Sequence, residues 1–154
     1  MLSLLVLASW GVAICAGPGK TTIPRQSRER AVATNEVALE NLQRVSERIY
    51  CGAEPKTDKA FEDLARMGIR TVVSGDGIRP DIESSKLHGM RYVHIPIGYD
   101  GVDKKSRGML TRLVREAEAP FYIHCHHGRH RGPAAAAIAW VADGGKPGSA
   151  AGPR

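Results

Sequence analysis

The chain has 154 residues, 42% of them apolar, enough for one small domain with a single core once an apolar leader is set aside. Net charge is +6, which favours anionic partners without choosing among phosphoesters, lipid head groups and nucleic acid. Aromatic residues make up only 5% and are not interleaved with the basic ones, which excludes a base-stacking platform, so nucleic acid is not an expected partner.

From Met1 to Gly19 no side chain is charged, and Leu2, Leu4, Leu5, Val6, Leu7, Val12 and Ile14 make an apolar run of signal-peptide length. Residues 1–17 are expected to act as an export signal cleaved after Cys15 or Gly17, or as a retained anchor. The expected location is therefore periplasmic or secreted, with membrane contact only through this segment. A lipid on Cys15 is disfavoured, because Ile14 stands where a lipobox wants a small residue. Gly17-Pro18-Gly19-Lys20-Thr21 imitates the end of a nucleotide-binding loop, but Ile14 replaces its first glycine and Pro24 breaks the helix it needs. Residues 18–44 read as a polar linker, and 45–143 as the folded domain.

Within that domain Arg48 to Cys51 predicts a short strand, followed by a helix capped by Thr57, burying Ala60, Phe61, Leu64 and Ala65 and stopped by Gly68. A strand over Ile69 to Ser74, a turn at Asp76-Gly77, a weaker helix between Asp81 and His88 and a strand over Met90 to Ile95 come next. Asp103 caps a helix with Met109, Leu110, Leu113, Val114 and Ala117 on one side, and Pro120 precedes a strand over Phe121 to His124. Pro133 to Ala142 is a further helix, and residues 144–154 read as a disordered tail. Strand and helix in alternation predict an α/β fold, a central, mostly parallel sheet flanked by helices.

Between the last strand and helix lies His124-Cys125-His126-His127-Gly128-Arg129-His130-Arg131-Gly132, a cysteine and an arginine with five residues between them. Backbone N–H groups of a tight loop opening onto a helix N-terminus hold an oxyanion and stabilise a thiolate, and a guanidinium grips two phosphate oxygens at once. Gly128 lets the chain turn mid-loop. These residues resemble the His-Cys-x5-Arg loop of the cysteine-dependent tyrosine and dual-specificity phosphatases. Arg48-Ile49-Tyr50-Cys51-Gly52-Ala53-Glu54-Pro55 and His94-Ile95-Pro96-Ile97-Gly98-Tyr99-Asp100-Gly101 extend the likeness to the compact bacterial branch.

The resemblance implies phosphomonoester hydrolysis through a phosphocysteine, with Cys125 as nucleophile, Arg131 as phosphate clamp and Asp100 as acid then base. His126, His127, Gly128, Arg129, His130 and Gly132 are the implied substrate-binding positions. Asp103 is the second candidate acid but has an ordinary role as helix cap, and Asp76 reads as a turn residue. The interval from Asp100 to Cys125 is short for the family. Gly132 stands where most relatives carry Ser or Thr, whose hydroxyl helps the cysteine leave, and the chain ends sooner than relatives that carry further helices. A phosphate-binding pseudophosphatase is the alternative reading, and a rhodanese-type sulfurtransferase ranks last. His124, His126, His127 and His130 beside Cys125 form a set that zinc or copper takes, but inward N–H groups repel a cation, so neither metal nor cofactor is expected. The implied partner is a phosphorylated protein or small polyanionic phosphoester, and a monomer is expected. Cys51 reads as a small apolar residue at a strand end, with a Cys51–Cys125 disulfide as the alternative in an oxidising compartment.

Overall fold

The computed structural model describes residues 38–77 and 81–146. The expected export segment, Cys15, the Gly17–Thr21 stretch and most of the tail lie outside the described residues. The described residues form nine elements in order: β1 (Gln43–Arg44), β2 (Ile49–Ala53), α1 (Asp58–Arg66), β3 (Thr71–Ser74), α2 (Ile82–Leu87), β4 (Arg91–His94), α3 (Lys104–Glu116), β5 (Phe121–Cys125) and α4 (Arg131–Ala142). The sheet order is β1-β2-β5-β3-β4, with β1 antiparallel to β2 and every other pair parallel. This is the expected α/β architecture. Among the described residues no helix is long and apolar enough to cross a membrane.

Local chemistry sets the helix ends. Thr57 Oγ1 accepts from the Ala60 N–H at 3.2 Å and opens α1, and Gly68, at φ 78°, closes it with its N–H on the Ala65 carbonyl at 2.9 Å. Asp103 Oδ1 accepts from the Ser106 N–H at 2.6 Å and opens α3. Two apolar clusters cover the two faces of the sheet. Ile49, Val73, Phe121 and Ile123 meet Leu110, Val114, Ala135 and Ala139 from α3 and α4 on one face, and Val72 and Tyr122 meet Ala60, Phe61 and Leu64 from α1 on the other. Alternation along each strand sends neighbouring side chains to opposite faces, so both sides are buried.

Three expectations shift. Met109 is 38% exposed, because Leu110, Leu113 and Val114 already fill the α3 face turned to the sheet and Met109 sits about 100° away from Leu110. Ala65 is half-buried, not core. β1 and the buried Leu39 lie in the stretch read as linker; Ala53 donates its N–H to the Glu40 carbonyl at 2.9 Å, tying that stretch to the sheet.

Candidate active site

The register sets the carboxyl ends of three parallel strands side by side: Ala53 pairs with Cys125, and Ser74 with His124. Open α/β sheets gather ligands at this edge. Cys125 ends β5 and is 4% exposed, and the loop after it runs directly into α4 at Arg131. Gly128 has φ 67°, and a Cβ there would overlap the backbone of Gly52 and Ala53, so the turn needs glycine for both conformation and space. Among the bonds that fix the loop are Gly128 N–H to the Cys125 carbonyl at 3.2 Å, Glu54 N–H to the His126 carbonyl at 3.4 Å, and Asn41 Nδ2 to the His127 carbonyl at 2.9 Å.

Among the described residues the backbone N–H groups of His127, Arg129, His130 and Arg131 have no protein acceptor. His130 precedes α4 without a side-chain cap bond, so the first-turn donors are open to an anion. Gly132 packs under the strand end: a Cβ would stand 3.2 Å from the Cys125 nitrogen and 3.3 Å from the His124 carbonyl carbon. The missing hydroxyl at this position thus coincides with a close approach of helix to strand.

Cys125, His126, His127, Arg129, His130 and Arg131 line one cavity of about 280 Å³. Asp76, Gly77 and Tyr99 close its other side. Arg131 donates from Nη2 to Asp76 Oδ1 at 2.6 Å and from Nη1 to the Ile97 carbonyl at 3.5 Å, and its guanidinium lies 4.7 Å from the centre of the Tyr99 ring. Gly128 is buried in the loop and does not line the cavity. Asp100 does not line it either. It is exposed on the turn that the Gly98–Gly101 bridge closes, with Oδ1 folded over Gly98. Asp103 is committed to its cap, and the Ser106 N–H and hydroxyl hold its carboxyl below the ordinary range.

His124 is 1% exposed, with Nε2 3.1 Å from the Tyr92 hydroxyl and the ring stacked on Tyr122. Burial pushes its pKa down to about 4, so near neutral pH it is an uncharged structural group. Cys51 is a free, buried thiol that burial, assisted by Cys125, pushes up to about 11. It pairs with Ile123, two positions short of Cys125, which puts their Cα atoms about 8 Å apart, from strand spacing and rise. That exceeds the roughly 7 Å a disulfide spans, so joining them requires backbone movement.

Sequence reading missed the inward role of Asp76. It does follow β3 in a turn, but it is 3% exposed and ion-paired to Arg131. The available signal was its place at the carboxyl end of a parallel strand. Tyr99, Glu54 and Asn41 carried no signal, since each reaches the loop from a distant part of the chain.

No family model matches the sequence, and no curated protein matches it. Solved structures do. TpbA of P. aeruginosa is 27% identical, with 70% of this chain and 66% of that one covered at a TM-score of 0.55. A candidate phosphatase of the DUF442 group from Shewanella putrefaciens CN-32 is 18% identical, with 70% and 74% covered at 0.60. The core catalytic domain of the PP-IP phosphatase SIW14 from S. cerevisiae is 23% identical, with 60% of each chain covered at 0.53. The expected resemblance to the cysteine-dependent phosphatases therefore holds in the fold.

Proposed function

We propose that the chain is a phosphomonoester hydrolase working through a phosphocysteine intermediate. The observation that carries this reading is that Cys125 and Arg131 face one cavity across a loop of open backbone donors at the head of α4. The Cys125 thiolate attacks phosphorus, the bond to the leaving oxygen breaks, and Asp100 gives that oxygen its proton, a contribution of roughly 10² to 10⁴ in rate. Water then attacks the phosphocysteine, Asp100 takes its proton, the P–S bond breaks and phosphate leaves. The turn bearing Asp100 adjoins Tyr99 at the cavity wall, so the acid approaches a bound ester from the solvent side. Arg131, fixed by Asp76, presents its remaining donors to the phosphate.

His126, His127, Arg129 and His130 at the mouth suit a small polyanionic phosphoester with several phosphates. The likeness to SIW14, named for PP-IP hydrolysis, supports that class. A phosphate binder without turnover is the second reading, favoured by Asp100 lying outside the cavity lining.

Cys125→Ser is expected to lower hydrolysis of p-nitrophenyl phosphate by about 10³-fold or more while vanadate still binds, because the loop donors survive. Arg131→Lys should lose roughly 10²-fold, since an ammonium cannot reproduce the bidentate grip. Wild-type turnover in Cys125→Ser refutes the mechanism, and a wild-type protein that binds vanadate but hydrolyses no ester selects the second reading. A panel of inositol polyphosphates, phosphoinositides and phosphotyrosine peptides ranks the substrates.

A further inference from the structure

At one corner of the cavity Asp76 and His126 stand next to Glu54, a carboxylate that takes no part in this chemistry. Glu54 follows β2, Asp76 lies just past β3 and His126 follows β5, and one ligand-capable atom from each lies within 4.8 Å of the others. Asp76 supplies an independent observation. Its Oδ1 accepts from Arg131 at 2.6 Å and from the Gly77 N–H at 3.1 Å, whereas Oδ2 is buried with no partner among the described residues. A buried carboxylate oxygen left without a donor is unfavourable and a cation would satisfy it; the Asp76 carboxylate stands beside an imidazole and a second carboxylate.

We propose that Glu54, Asp76 and His126 form a binding site for a divalent transition ion of the zinc class. One imidazole and two carboxylates are a zinc-type donor set, and three protein ligands leave a position open towards the cavity that holds Cys125. Glu54 Oε2 lies 3.2 Å from His126 Nδ1. Two ligands on a tetrahedral zinc at about 2.0–2.1 Å stand about 3.3 Å apart, so the ion takes the place of the proton these two atoms share. Asp76 needs a modest approach to complete the set, and Glu54, only partly buried, can rotate to meet it. Arg131 and the Gly77 N–H hold Asp76 Oδ1, the outer-partner arrangement that orients a ligating carboxylate. Inward N–H groups argue against a cation held by the loop histidines alone. This site takes only His126 from that cluster and draws its negative charge from residues following β2 and β3.

The test uses the full chain carrying Cys125→Ser, so that the thiol donates nothing, titrated with zinc chloride against a chromogenic chelator. One ion should bind with a Kd of about 1 µM or tighter. Glu54→Gln and His126→Gln, each added to that background and checked for folding by circular dichroism, should each raise Kd at least ten-fold. His130→Gln, which alters a cavity histidine outside the cluster, should leave it within two-fold. Absence of binding, an unchanged Kd in Glu54→Gln, or equal losses in His130→Gln and His126→Gln would overturn the proposal. Because no substrate enters the measurement, the result is independent of whether the chain hydrolyses phosphoesters.

Discussion

Two aspartates approach the Cys125 loop from different places. Asp76 is sealed against Arg131, whereas Asp100 stands in solvent on a glycine-closed turn. An exposed carboxyl on a short turn can reach a leaving oxygen and return, which is what a proton donor that later acts as base requires. Asp100→Asn is therefore expected to lower kcat for alkyl phosphates by roughly 10² to 10⁴ and for a nitrophenyl ester, which leaves unaided, by less than about ten-fold. Steady-state kinetics on the two esters checks it, and equal losses would assign Asp100 a structural role. The glycine-flanked turn that carries Asp100 was readable from its neighbours in sequence; the pairing of Asp76 with Arg131 was not, because they stand fifty-five positions apart.

The β5 strand, its loop and the α4 helix work as one unit, and Gly128 is the point at which the loop meets β2. Gly128→Ala combines a strained left-handed backbone with direct overlap on Gly52 and Ala53, an expected cost of roughly 1–3 kcal/mol in strain, with the loop displaced as well. Turnover should fall at least about 10²-fold, with a lowered Tm. Gly68→Ala is the matched comparison: its φ of 78° is similarly left-handed but a Cβ meets nothing within 4 Å. It should cost about 1 kcal/mol and leave turnover unchanged. Thermal melts and kinetics on the pair separate backbone strain from the contact between loop and sheet. The caps at Thr57 and Asp103 were legible because a cap bonds three residues on; the exposure of Met109 was not, because it depends on which face of α3 meets the sheet.

Across the described residues, several buried or half-buried acids are held protonated. Burial pushes Cys51 from an ordinary 9.0 to about 11 and Tyr92 from 10.0 to about 12, and Tyr122, whose hydroxyl donates to the Ala53 carbonyl at 2.6 Å, is pushed up further still. The native state keeps these protons at pH values where the unfolded chain releases them. The unfolded state then binds fewer protons, so stability falls as pH rises from about 9 through 12. Urea unfolding at stepped pH should show this decline, and Cys51→Ala should flatten its first part. Stability independent of pH over that window in the wild type would contradict the burial of these groups.

The sequence by itself determined the alternation of strand and helix, the caps, and the place of Cys125, Gly128 and Arg131 in a loop between a strand and a helix. Each of these rests on residues within about six positions of one another, and side-chain periodicity and turn chemistry act over that range. Tertiary structure alone decided the strand order that inserts β5 between β2 and β3, and so brings Glu54, Asp76 and His126 to one corner and Asn41 under the loop. Strand pairing is settled by burial of both sheet faces, a property of the assembled core and not of any local segment.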